Sequence, residues 1–152
     1  MLEAYQKKTI ELMHRQEILL ARLYDIFSAK FYEYGAFWND LAKEERKHAE
    51  WIKKLYQAEK KDLVAFKESK INISTMNTYI DHVENIIKRA QNDEVDLKLA
   101  AIYTLDLEKS LIEKNVFAHF QANEPKVKGI MTRLESETRK HVKKVQDLLA
   151  KI

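Results

Sequence analysis

Two stretches of the chain spell the same phrase, Glu-[Glu/Thr]-Arg-Lys-His: Glu44 to His48 and Glu137 to His141. In the first copy Glu45 and His48 stand three residues apart, so on a helix both leave the same face, one turn apart. Carboxylate oxygen and imidazole nitrogen together ligate iron, manganese or zinc. The chain has no cysteine, so any metal must be held by nitrogen and oxygen. A disulfide scaffold, a thiolate site and a cysteine nucleophile are excluded for the same reason. The second copy keeps its histidine, His141, but has Thr138 where Glu45 stands in the first.

Long helices are what would position these groups. Two glycines and one proline in 152 residues are too few for the turns of an all-β chain. The balance of 45% apolar and 34% charged residues fits one soluble globular domain spanning 1–152. Apolar residues recur at alternating steps of three and four, the helical period. They do so at Ile10, Met13, Leu20, Tyr24, Phe27, Phe31 and Tyr34, and again at Trp38, Leu41, Ile52 and Leu55. Leu97, Ala101, Leu111 and Ala118 mark a third stripe, and Val127, Met131, Leu134, Val145, Leu148 and Ile152 a fourth. Gly35 is expected to stop the first helix in the left-handed region. Pro125 suits the first turn of the fourth, after a short junction. A long connection from about Lys60 to Val95 separates the two pairs. It carries Met76, Ile80, Val83, Ile86 and Ile87 at helical spacing behind Ser74, a candidate N-cap, which predicts a shorter helix over about 75–91. The expected fold is all-α: a four-helix bundle of two antiparallel hairpins, joined by a long crossover that contains an extra short helix.

Polar residues interrupt each stripe. Glu17, then Glu45 with His48, then Glu108, then Thr138 with His141 occupy positions that should be apolar, each near the middle of its helix. Thr104 and Asn115 also interrupt the third stripe but are neutral. An isolated buried charge costs several kcal/mol even after relaxation. Three arrangements make such a set tolerable: carboxylates protonated or paired with the flanking Arg46 and Arg139, a wetter cleft, or a divalent cation between them. His14, His82 and His119 are assigned to no site. Trp38, Trp51, Tyr32 and Phe37 are candidates to cover a bundle end or a dimer face.

The net charge of +3 is spread over interleaved Lys and Glu, which reads as solvated helix faces and points to no nucleic-acid partner. No apolar run is long enough for a membrane span. The N-terminus lacks a basic segment followed by an apolar one, and cysteine-free composition fits a reducing cytoplasm.

The segment LAKEERKHAEWIKKL resembles the second-helix signature of the rubrerythrin branch of the ferritin-like di-iron carboxylate proteins. EILLARLYDIF, with Glu17 and Tyr24, is similar to the family's first helix, and LDLEKSLIEKNVFAHF, with Glu108, to its third. The resemblance covers all four long helices. It implies a ferritin-like bundle in which Glu17 and His48 hold one metal, Glu108 and His141 the other, and Glu45 bridges them. Glu137, four residues before His141, is the candidate replacement for the missing fourth carboxylate. Tyr24 is the candidate catalytic residue, its hydroxyl placed to orient a ligand carboxylate; core packing is its plainer role. Two iron ions are the implied cofactor, with manganese or zinc as alternatives. The implied chemistry is that of a peroxidase or ferroxidase acting with oxygen or peroxide and an electron donor, in a homodimer. Departures are Thr138 for the family's glutamate, Leu111 for an extra carboxylate and Asn115 for a tyrosine. The two phrases then read as halves of a duplicated hairpin, since Glu17 to Glu45 is 28 residues and Glu108 to Thr138 is 30. The competing class is a bundle with a degenerate site, acting as a non-enzymatic metal-binding or interaction module.

Overall fold

The computed structural model describes residues 4–60, 64–66, 73–113, 120–122 and 125–152. Five helices make up nearly all of it: α1 (Ala4–Lys30), α2 (Gly35–Lys60), α3 (Ile73–Gln91), α4 (Leu97–Glu113) and α5 (Pro125–Lys151). A 3-10 turn over Tyr32–Tyr34 links α1 to α2. Two three-residue strands, β1 (Val64–Phe66) and β2 (Phe120–Ala122), pair antiparallel. This ribbon was not expected from the sequence. It ties the crossover to the connection between α4 and α5, which is therefore longer than the Asn123–Pro125 junction alone. Asn115, Ala118 and His119 lie outside the described residues.

Cross-helix pairs fix the direction of each element. Asp25 pairs with Arg46, and Ser28 Oγ donates to the Gly35 carbonyl at 2.8 Å, so α1 and α2 form an antiparallel hairpin. Arg15 meets Glu84 at 2.6 Å and Lys30 meets Asp93, so α3 runs parallel to α1 along its length. The crossover thus carries the chain from one end of the bundle to the other before α4 begins. Tyr24 reaches Glu108 on α4. Trp51 lies under Arg133, and Glu44 meets Lys144, so α5 is antiparallel to α2.

The extra helix is neither short nor peripheral. At 19 residues it is longer than α4, at 17, and it buries Met76, Tyr79, Ile80, Val83, Ile86, Ile87 and Ala90. Tyr79 donates its hydroxyl to the Leu107 carbonyl at 3.1 Å and so pins α3 to α4. Helix α3 begins at Ile73, one residue before Ser74, which therefore sits in the first turn and not ahead of it; its carbonyl accepts from Thr78.

Gly35 does not play the expected part. Its φ of −55° and ψ of −42° are right-handed helical, and it opens α2 instead of closing α1. A Cβ there would meet the Ser28 carbonyl oxygen at 3.4 Å, an ordinary contact, so neither φ nor space requires glycine. The left-handed residue is Asp93, with φ of 58°, in the turn between α3 and α4. Pro125 opens α5 as expected.

One core joins the helices. Leu20, Leu23 and Phe27 of α1 pack with Leu41 and Ile52 of α2, Ile86 of α3, Leu107 of α4 and Leu134 of α5, all at most 1% exposed. Trp38 is fully buried, edge-on to Phe27 at 4.9 Å and to Phe37 at 5.0 Å, and closes the core at the α1–α2 end. It is therefore no part of a surface, whereas Tyr32 is 91% exposed. No helix among the described residues is long and apolar enough to cross a membrane.

If α3 is a core element, Ile86→Ala lowers unfolding free energy by about 2–5 kcal/mol, while the exposed Lys88→Ala changes it by less than about 0.5 kcal/mol. Urea denaturation of both variants checks this, and equal effects would contradict the packing.

Candidate metal centre

The five expected ligands converge. Glu17 from α1, Glu45 and His48 from α2, Glu108 from α4 and His141 from α5 are each at most 2% exposed. Helical period explains this: all five sit on core-facing stripes, and antiparallel packing brings the mid-helix positions to one level. They form two overlapping groups, Glu17 with Glu45 and His48, and Glu45 with Glu108 and His141, the chosen atoms in each lying within 4.8 Å of one another. Glu45 belongs to both. Its Oε2 lies 3.2 Å from His48 Nδ1 and its Oε1 2.8 Å from His141 Nδ1. Glu17 Oε2 completes the first group at 3.7 Å from His48 Nδ1, and Glu108 Oε1 the second at 3.3 Å from His141 Nδ1. The two rings stack with centroids 5.3 Å apart.

Three buried oxygens in this space make no well-directed hydrogen bond: Glu17 Oε2, Glu108 Oε2 and Glu45 Oε1, the last in close ionic contact with His141 Nδ1. Two donors bound to one ion at about 2.0–2.2 Å lie at most about 4.4 Å apart. Small rotations would therefore close either group on a cation. The donor set, oxygen with imidazole nitrogen and no sulfur, fits a divalent first-row metal.

The flanking arginines do not neutralise the cluster. Arg46 turns outward to Asp25, and Arg139 to Glu135 at 3.1 Å. Thr138 is buried, but its hydroxyl donates to the Leu134 carbonyl of its own helix at 2.8 Å and offers the site nothing. Thr104 is satisfied in the same way by Ala100.

Glu137 does not turn into the centre. Its carboxylate lies behind His48, with Oε1 3.4 Å from Nε2, the ring nitrogen facing away from the cluster. The reason is angular: it sits one residue off the strict stripe, about 100° around the helix from Thr138. The matching residue in the first phrase, Glu44, was missed by the sequence reading. It bonds His141 Nε2 and also accepts from Lys144 at 3.0 Å. The first letter of each phrase thus serves the histidine of the other. Carboxylates placed this way fix the tautomer and orientation of metal-binding imidazoles and raise their basicity. The signal was available, since glutamate stands four residues before histidine in both copies.

Tyr24 lies where expected, donating its hydroxyl to Glu108 Oε1 at 2.7 Å. Burial first, and then the negative Glu108 and Glu45, push its own pKa well above the ordinary value. It is a hydrogen-bond donor at any physiological pH and no general base.

Protons can also balance the cluster. Burial, and then the charge of Glu45, raise the Glu17 carboxyl to about 8. Burial opposes charge on His48, but Glu17 and Glu45 outweigh it and lift the imidazole to about 11. His141 is raised further, as Glu108, Glu44 and Glu45 outweigh its burial. Burial would lift Glu108, but His141 and the Tyr24 hydroxyl hold it below the ordinary range. Its hydrogen bond to His141 brings Glu44 to about 2. A metal must therefore displace protons from both imidazoles and from Glu17.

No family model, no curated protein and no solved structure matches the chain.

The proton-balanced cluster has a pH signature. The folded chain keeps a proton on Glu17 between pH 4.5 and about 8, and one on His48 between 6.5 and about 11, that the unfolded chain has released. Stability falls as pH rises through either window. With a chelator present, the melting temperature is expected to drop steadily from about pH 5 to about pH 9, and saturating zinc is expected to flatten the slope. A chelated protein whose melting temperature rises across that range would contradict the assignment.

Proposed function

We propose that this chain is a ferritin-like, rubrerythrin-type protein that holds two iron ions between Glu17, Glu45, His48, Glu108 and His141. In this reading it performs oxidoreductase chemistry on ferrous iron with oxygen or peroxide. The observation that carries the reading is the burial of three carboxylates and two imidazoles in two overlapping groups whose ligand atoms lie within 4.8 Å of one another. Helix order supports it, because two antiparallel hairpins joined by one long crossover are the arrangement of ferritin-like bundles. The way Glu45 presents one oxygen to each histidine supports its role as the bridge. Charge supports two ions: with Glu44 and Glu137 included, five carboxylates and the Lys144 ammonium balance two divalent cations.

Iron bound there would supply the electrons that reduce oxygen or peroxide. The chain's own residues do the rest. Tyr24 holds Glu108 in one rotamer by its hydroxyl. Glu44 and Glu137 hold the Nε2 protons of His141 and His48, which leaves each Nδ1 lone pair directed inward. Burial of the five ligand residues, each at most 2% exposed, keeps bulk water from the cluster.

A second reading, a non-enzymatic bundle with a decayed site, is favoured by one observation: Thr138 contributes no ligand, and protons alone can neutralise what remains.

Anaerobic titration with ferrous iron separates the two. About two ions per chain are expected, followed on admitting oxygen by a near-ultraviolet iron–oxo absorption band. Uptake near zero would overturn the proposal. Glu45→Gln is expected to retain at most about one ion per chain by elemental analysis, because both groups share that carboxylate. A variant that keeps both ions would remove the bridging role.

A further inference from the structure

One patch of concentrated charge lies beside the centre and is not used by it. Lys43, Lys47, Glu50 and Lys54 line a shallow groove on the outer face of α2 together with Trp51. Among the described residues, Lys43, Lys47 and Lys54 form no ion pair. The Arg133 guanidinium of α5 stands 6.0 Å from the Trp51 ring centroid. Among the described residues, Glu50 is the only acid in the groove lining.

Trp51 spans the wall between this groove and the centre. It is half-buried, and its ring centroid is 5.4 Å from that of His48, the rings tilted by 32°. His48 in turn presents Nδ1 to Glu45 and Glu17. A partner seated in the groove is therefore two adjacent rings away from the carboxylates. Two-electron reduction of peroxide consumes electrons, and a chain without cysteine holds no thiolate-bound cluster to deliver them.

We propose that this face of α2 is the docking surface for an acidic one-electron carrier protein, with Trp51 as the contact between carrier and His48. The proposal rests on the redox reading above. The reduced carrier gives up one electron per encounter, and two such electrons with two protons convert one peroxide to two waters. Charge complementarity chooses the partner. The cations from Lys43 to Lys54 span about 16 Å, a compact patch around an aromatic, as protein docking requires. A nucleic-acid strand calls for a stripe that continues along the backbone.

The probe is flavodoxin, an acidic flavin carrier, with binding measured by calorimetry on both metal-loaded and chelator-treated protein. Affinity is expected to fall with salt. Lys47→Glu combined with Lys54→Glu is expected to weaken it about tenfold or more, and Lys98→Glu, exposed on α4, to change it less than about twofold. Trp51→Leu is expected to slow oxidation of saturating reduced flavodoxin by the loaded protein about tenfold, and Trp51→Phe, which keeps a ring there, to restore the rate; equal rates in both variants would remove Trp51 from the route. The proposal is overturned if no flavodoxin binds, if the Lys47 and Lys54 reversals have no effect, or if Lys98→Glu weakens binding equally. It is overturned in favour of nucleic acid if a single-stranded oligonucleotide binds the same face more tightly. Flavodoxin binding without iron uptake would uphold this surface and refute the redox reading. Iron uptake without flavodoxin binding would do the reverse.

Discussion

Three carboxylates and two imidazoles share one dry space at the middle of this bundle, and none of the five can be solvated there. That constraint governs the rest of the structure. In such a place each group must be neutralised by another or by a cation, because water cannot do it. The protein does not relieve the strain with the nearest arginines, which pair outward. It leaves one oxygen of each buried carboxylate without a well-directed hydrogen bond. A divalent ion placed between these groups would satisfy oxygens that the protein alone does not.

The repeated phrase makes physical sense in this setting. Helices α2 and α5 run antiparallel, so each copy faces the other across the centre. Each copy supplies an imidazole at its last letter and, at its first, the carboxylate that holds the opposite imidazole. This reciprocity survives the change from Glu45 to Thr138 because it depends on the first and last letters only. The duplicated outer support and the unequal inner ligands belong to different faces of the same helices, about 100° apart.

The centre was legible in the sequence because burial and charge conflict there. Glu17, Glu45, His48, Glu108 and His141 broke apolar stripes at the middle of long helices, and period alone then brought them together. Glu44 was not legible as a conflict, since a carboxylate beside the stripe looks solvated; only its recurrence as Glu137 marked it. For the same reason Glu137 was expected to turn inward, although its angle on α5 carries it behind His48. The α1–α2 hairpin followed from the short junction at Gly35, and the long connection after it marked the crossover. The extent of α3 was legible too, since its apolar stripe is buried over almost the expected span. The β1–β2 ribbon pairs segments far apart in sequence, each three residues long, too short to show alternation. Gly35 was assigned a left-handed turn from its place at the end of the first stripe, whereas its backbone is right-handed helical.

The central claim is that the five buried groups exist to hold two cations on either side of Glu45. An anomalous difference map from crystals of the protein loaded anaerobically with iron tests it most directly. Two peaks are predicted, one beside Glu17 and His48 and one beside Glu108 and His141, with Glu45 between them. A map with no peak inside the bundle, or with iron only at surface carboxylates, would contradict the account.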